Sequence, residues 1–157
     1  MINLSTIRQR LEVQGFLGLT DEELKAIGPW MRFTPTLNFT LTVISTVLSS
    51  VPLLVGLAIL MSAGAIMPFH PFDALYNYLV RRITRTRPLP KSGVRRRIVF
   101  AIGNMWLLLT AVAFLLGMSA AGYVLGGLMA IFIAPLAIIH FCVLSELMAR
   151  IFGKPVK

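Results

Sequence analysis

Charge is scarce in this sequence. Asp, Glu, Lys and Arg make up 13% of its 157 residues, where an ordinary soluble domain carries about 25%. Hydrophobic residues make up 57% and the mean hydropathy is +0.81. A water-soluble fold of this size would lack the polar surface to cover itself, which excludes a soluble enzyme and a disordered tail. Cysteine is nearly absent too. Cys142 stands alone, so neither an intrachain disulfide framework nor zinc-ribbon spacing is available. Acidic residues are few, 6 against 15 basic, for a net charge of +9. In a soluble protein that excess would point to nucleic acid. Here no aromatic-plus-basic soluble module remains to bind it, and basic loops facing anionic lipid explain the charge. Phosphate loops, nucleophile elbows, zinc-protease helices and dinucleotide glycine patterns are missing as well. No cofactor and no enzymatic activity are therefore expected.

What is present is an all-α membrane protein. Two runs, 33–72 and 98–145, hold no Asp, Glu, Lys or Arg. A bilayer core of about 30 Å needs about 20 helical residues, so each run is long enough for two spans. Ser49-Ser50-Val51-Pro52 breaks the first and Gly117-Met118-Ser119 the second. Four transmembrane helices follow, as two hairpins: roughly 34–49, 52–69, 98–117 and 120–146. A re-entrant hairpin is the alternative for the first two. Four spans place every Lys and Arg on one side, so both termini are expected in the cytoplasm. The opening residues lack an apolar signal core, so the amino tail is expected to be retained. The chain then divides into an amino tail (1–33), hairpin 1 (34–69), a basic interfacial segment (70–97), hairpin 2 (98–146) and a basic tail (147–157).

The amino tail contains a capping box, Thr20 with Glu23, flanked by Leu19 and Leu24. Leu4, Ile7 and Leu11 follow helical spacing and predict a short amphipathic piece. It would pack on the protein's own cytoplasmic face, on the membrane surface or on a partner. In the central segment Phe72, Leu75, Tyr76, Leu79, Val80 and Ile83 form an apolar stripe at helical period. This predicts a basic interfacial helix beginning at Pro71. Arg81, Arg82, Arg85, Arg87, Arg95, Arg96 and Arg97 are its candidates for contact with anionic lipid headgroups, each contributing about 1 kcal/mol near the surface. A polyanionic lipid or an acidic partner is the sharper reading of the same charge.

Gly122, Gly126, Ala130 and Ala134 repeat every four residues in the fourth span, a small-residue groove that admits another backbone. The third or second span is the expected occupant, with homo-oligomer contact as the alternative. Pro135 is expected to kink this helix. The halves also resemble each other: Arg32, Phe33 and Asn38 open one, Arg97, Phe100 and Asn104 the other. His70, Asp73 and Arg81 close the first as His140, Glu146 and Arg150 close the second. Duplication of the parallel type is one account, and topology alone forces much of the pattern.

One group of residues could carry chemistry. Threading puts Asn38, His70, Asp73, Asn104, His140 and Cys142 near the cytoplasmic surface, and polar groups at membrane depth are costly. Helix capping and interhelical hydrogen bonding is the first account of this cluster. A metal site from His70, Asp73, His140 and Glu146 is a second, although neither half has a tight ligand spacing. A thiol function for Cys142 is a third.

The run His70-Pro71-Phe72-Asp73-Ala74-Leu75-Tyr76-Asn77, with Gln14-Gly15-Phe16, Asp21-Glu22-Glu23-Leu24, Trp106 and His140-Phe141-Cys142, resembles the bacterial membrane family of unknown function DUF4395 over roughly 14–152. The resemblance implies a small inner-membrane protein and assigns no activity. In some relatives a second cysteine follows the first by three residues, and Ser145 stands there in this chain, which counts against a dithiol role. Three functions remain in view: a non-enzymatic accessory or scaffold with a membrane-protein partner, a small homo-oligomeric carrier with Asn38, Asn104, His70 and His140 along a polar path, and a thiol-redox or metal-handling protein.

Overall fold

The computed structural model describes residues 3–153, and all regular structure among them is helical. Lys154 and Lys157 of the basic tail lie outside the described residues. Helices α1 (Leu4–Val13) and α2 (Asp21–Ile27) form the amino tail. The capping box at the start of α2 is complete. The Glu23 amide donates to Thr20 Oγ1 at 3.2 Å, and the Thr20 amide donates to Glu23 Oε2 at 2.9 Å. The bonds that the Glu23 carboxylate accepts from the Thr20 amide and hydroxyl hold it below its ordinary pKa. Arg8 pairs with Asp21 to join the two helices. Leu11, Leu24, Ile27 and Met31 are buried together with Tyr76, with Leu4 and Ile7 partly covered beside them. The amphipathic start thus packs on the protein's own collar.

A turn of 3₁₀ helix, Pro29–Arg32, leads into α3 (Phe33–Val47), and α4 (Val51–Ile66) returns. Their turn uses Ser49 at φ +48° and Ser50 as an extended N-cap before Pro52. After His70 come α5 (Pro71–Leu75), a π-helical stretch over Tyr76–Val80 and α6 (Arg81–Thr84). This arm meets α4 at 81°. The long helices α7 (Val94–Leu115) and α8 (Ser119–Ile139) follow, then α9 (Val143–Phe152). In space α4 packs on α7, α7 on α8, α8 on α3, and α3 more lightly on α4, so the four long helices close a ring. At the turn end Ser49 Oγ donates to Tyr123 Oη at 2.7 Å and ties the two hairpins.

Two boundaries and the face of the central arm differ from the sequence reading. The last long helix stops at Ile139 and not near 146, because His140 turns left-handed at φ 59° and Cys142 then N-caps a separate amphipathic helix. The chain continues as helix through Pro135. Helix α7 begins at Val94 and not at 98, so Arg95, Arg96 and Arg97 lie within it and not at the end of the interfacial segment. The stripe of the central arm also splits. Tyr76 is fully buried in the collar, whereas Leu75, Leu79 and Ile83, with Tyr78, are exposed. The π-helical turn changes the rotation per residue, so one continuous apolar face is not kept.

Length separates the two hairpins. Helices α7 and α8, at 22 and 21 residues, are long and apolar enough to cross a membrane. Helices α3 and α4 have 15 and 16 residues, or about 22–24 Å at 1.5 Å per residue.

The polarity of α3 is inverted relative to a helix in water. Its buried face is Thr34, Pro35, Asn38, Thr42, Ser45 and Thr46, whereas Ile44, Val47 and Leu48 are exposed. Ser45 Oγ donates to the Leu41 carbonyl at 2.7 Å, while the Thr42 and Thr46 hydroxyls have no partner among the described residues. Helix α8 follows the same rule. Gly122 and Gly126 are buried, with Val124, Ile131 and Ile138 outward. Gly122 faces the Phe114 ring of α7, and a Cβ at Gly126 would overlap Thr46 of α3. The groove therefore receives the third long helix as expected, and the first one in place of the second. Ala130 and Ala134 continue it as half-buried positions.

Candidate functional site

The polar groups gather at the collar, where the amino tail, the arm and the starts of α7 and α9 meet. Asp73 is placed in the first turn of α5 by His70, whose Nδ1 accepts from the Phe72 amide at 3.2 Å. The carboxylate is buried, and Arg96 reaches it with both guanidinium nitrogens, at 2.7 and 3.1 Å. Thr34 Oγ1 donates to the same carboxylate at 2.6 Å, and Ser92 Oγ accepts from Arg96 at 3.1 Å. The guanidinium lies 5.2 Å from the ring centres of both Phe16 and Phe100. A bidentate pair with additional hydrogen bonds and aromatic faces is the arrangement that offsets the cost of burying two charges. Thr34 and Ser92 were not picked out by sequence, and Phe16 only as part of the family resemblance. The signal was there: a carboxylate at an apolar junction needs a cation, and Arg95–Arg97 stand where the next long helix begins.

His70 itself is fully buried between Phe72 and Phe100, whose ring centres lie 5.2 and 4.5 Å away. Its Nε2 has no partner among the described residues. Burial pushes its pKa down to about 4, with Asp73 opposing and Arg96 adding to the shift. Helix α4 makes room for the ring with Gly64, where a Cβ would overlap it.

His140 is satisfied at both nitrogens. Its Nε2 lies 2.7 Å from the Gly28 carbonyl, and Nδ1 accepts from Arg32 Nε at 3.2 Å. These neighbours assign a neutral ring with the proton on Nε2. Burial first, then the positive charges of Arg32 and Arg10, lower its pKa against the Gly28 hydrogen bond. Around it Arg10 donates to the Ile139 carbonyl at 2.6 Å and Gln14 Nε2 to the His140 carbonyl at 2.8 Å. Both close the carboxyl end of α8, which a cation favours. Arg97 does the same for α4, at 2.7 and 2.6 Å from the Ala65 and Ile66 carbonyls, and Arg95 for Gly153 after α9, at 2.7 Å.

The seven arginines assigned to headgroups thus divide. Arg95, Arg96 and Arg97 are engaged by the protein, which corrects that assignment. Arg81, Arg82, Arg85 and Arg87 make no hydrogen bond or ion pair among the described residues. The metal set does not converge either. Among the described residues no group of three or more His, Cys, Asp or Glu could hold one ion. Asp73 is committed to Arg96, and Glu146 sits half-buried in the first turn of α9.

Asn38, His140 and Cys142 line one chamber of about 180 Å³ between α3, α7, α8 and the collar. Ser145 lines it as well. His70 and Asn104 are not in its wall, so the expected polar path is not assembled. The wall is mostly apolar, with Met61, Phe100, Gly103, Trp106, Met129 and Ile133.

Together these features define an all-helical protein with membrane-length apolar helices and a hydrogen-bonded polar collar. The chain belongs to the family described as domain of unknown function (DUF4395), whose model matches residues 29–151. Gln14-Gly15-Phe16 and Asp21-Glu22-Glu23-Leu24 precede the matched region. No match was found among curated proteins or solved structures.

Proposed function

We propose that the chain is a small polytopic protein of the bacterial cytoplasmic membrane, crossing it four times with both termini in the cytoplasm. Its role is that of a non-enzymatic accessory or scaffold subunit. The observation that carries this reading is the inverted polarity of α3: Thr34, Asn38, Thr42, Ser45 and Thr46 inward, Ile44, Val47 and Leu48 outward. In water such a helix would expose its apolar face and bury its polar one, both at a cost. In lipid the arrangement is the favoured one, since polar and small side chains join helices there. The shortness of α3 and α4 is accommodated by local thinning of the bilayer. The arm supports the scaffold reading. Leu75, Tyr78, Leu79 and Ile83 are exposed beside Arg81, Arg82, Arg85 and Arg87, the pattern of a helix that lies on anionic lipid.

Impermeant-maleimide labelling of single-cysteine variants in a Cys142→Ala background tests the topology. Ser50→Cys and Met118→Cys should label from outside intact cells, and Thr84→Cys only after permeabilisation. Labelling of Ser50→Cys and Thr84→Cys from the same side would mean a re-entrant first hairpin. The lipid contact is tested in nanodiscs. Anionic lipid should raise the thermal midpoint of the wild type, and glutamine at Arg81, Arg82, Arg85 and Arg87 together should remove the gain. Purification in mild detergent with intact-mass analysis tests the role: a partner of fixed stoichiometry supports the scaffold, and a partner-free homo-oligomer rejects it.

A further inference from the structure

The chamber is more than a packing defect. At about 180 Å³ it exceeds the cavity of about 150 Å³ that takes up benzene in an engineered protein core. Its wall is apolar except at a few points, and one of those is left open. Asn38 is 97% covered, yet its Oδ1 has no hydrogen-bond partner among the described residues. Ser145, 1% exposed, lines the wall as well. Gln14, His140 and Arg96 in the same wall are occupied. Gln14 holds the Arg10 and His140 carbonyls, His140 holds Gly28 and Arg32, and Arg96 holds Asp73 and Ser92. A buried amide oxygen without a partner costs about 1–3 kcal/mol, a cost that a ligand's hydroxyl, as a donor, would remove.

We propose that this chamber is a binding site for a neutral, ring-sized apolar group carrying one hydrogen-bonding oxygen, with Asn38 as its polar contact. The ring would lie against Phe100, Trp106 and Met129, with its oxygen toward Asn38 and Ser145. Neutrality follows from the wall: Arg96, the cation that borders it, is already matched by Asp73, so a charged ligand would enter uncompensated. Val99 and Ile102 of α7 line the chamber and are half-buried, and Phe132 of α8, also in the wall, is 40% exposed. These residues put its mouth on the outer surface of the α7–α8 pair, which lipid would cover. Two sources share this chemistry: a free phenol-sized molecule, and the ring end of a prenylated lipid whose tail stays in the bilayer.

Trp106 supplies the readout. In a Trp30→Phe background, 4-bromophenol should quench its fluorescence saturably in detergent-solubilised protein, and bromobenzene should bind about 10-fold more weakly, the worth of one hydrogen bond. Asn38→Leu should collapse that ratio toward 1 while leaving bromobenzene affinity within about 2-fold. Val99→Phe should abolish saturation. Its thermal midpoint without ligand checks that it folds, and Ile102→Phe is the second filling variant if it does not. Competition identifies the source. A prenylated hydroquinone displacing 4-bromophenol at 10-fold lower concentration than p-cresol assigns a lipid, and the reverse order a free phenol. Quenching that stays linear in concentration, or that persists in both filling variants, would overturn the site. An unchanged phenol-to-bromobenzene ratio in Asn38→Leu would overturn the polar contact.

Discussion

Two corners of this molecule carry the same kinds of residue in the same order and use them oppositely. Each follows a hairpin, and each has a histidine with a carboxylate a few residues on. At the first corner His70 caps a helix start, leaves Nε2 without a partner, and hands Asp73 to a buried ion pair. At the second His140 closes a helix end in the left-handed region, with both nitrogens bonded. Its carboxylate, Glu146, stays half-exposed at the start of α9. The difference traces to what each corner packs against. The first meets α7, which enters with Arg95–Arg97 and can supply a cation to a buried carboxylate. The second meets the amino tail, which brings Gln14, Arg10 and Arg32 to carbonyls and to the imidazole. Likeness in sequence, on which an internal repeat would rest, does not extend to the chemistry.

The sharpest contrast is expected from the carboxylates. Arg96→Ala leaves Asp73 buried and unpaired, which typically costs about 3–5 kcal/mol. Asp73→Asn leaves the Arg96 cation without its counter-charge instead, and should cost less because that side chain is 12% exposed and keeps Ser92, while Thr34 can still donate to the amide oxygen. Glu146→Gln, at a half-exposed position, should stay within about 0.5 kcal/mol. Denaturation in mixed micelles, followed by circular dichroism, orders the three. Equal losses for Arg96→Ala and Glu146→Gln would erase the distinction between the corners.

The histidines predict a pH dependence whose sign is fixed. Unfolded, each takes up a proton near pH 6.5, while folded His70 stays neutral down to about pH 4. Below pH 6.5 the unfolded chain therefore binds the extra proton. Stability from this group is complete above that pH and falls as pH drops toward 4. The span of the shift corresponds to about 3 kcal/mol. His140 acts in the same direction. In His70→Phe the slope between pH 6.5 and 4 should shrink to the part that His140 contributes. An undiminished slope would place the dependence elsewhere.

Much of the architecture was legible because long uncharged, apolar runs obey crude rules. The uncharged runs located all four long helices, the capping box was complete where Thr20 and Glu23 stood, and the family followed from a short run at His70–Asn77. The misses share a cause, which is that periodicity describes one helix at a time. The break at His140 depends on Arg10 and Gln14, more than a hundred residues away, closing the end of α8. The split of the arm's stripe depends on a π-helical turn that the spacing of apolar residues does not reveal. Arg95–Arg97 read as surface charge because nothing local says that carbonyls at 65, 66 and 153 and a buried Asp73 lie within their reach. The polar face of α3 was present in the sequence at i, i+4 and i+8 (Thr34, Asn38 and Thr42), and an outward-in reading of polarity would have found it.

Glycine gives a smaller test of the same comparison. Gly64→Ala would drive a methyl into the His70 ring and should cost about 1–3 kcal/mol as overpacking. Gly56→Ala in the same helix and Gly127→Ala in α8 meet nothing within 4 Å and should be neutral or slightly stabilising through helix propensity. If Gly64→Ala is as mild as the other two, the first corner is looser than its geometry indicates, and the ring of His70 can move.

The smallest effect concerns the arginines that close the two helices. Arg97 on α4 and Arg10 on α8 do the same work from different parts of the chain, one from within α7, the other from the amino tail. Each ends a helix whose carbonyls would otherwise face a partly dry junction, so replacement by methionine should cost about 1 kcal/mol in each case, through the lost cap and the lost dipole term. They share no partner, so the double variant should be additive within about 0.5 kcal/mol. Additivity would mean that the corners are independent supports on either side of the ring. A coupling well beyond that value would mean that the amino tail and the start of α7 move as one body, and that the collar folds as a unit whatever the chemistry of each corner.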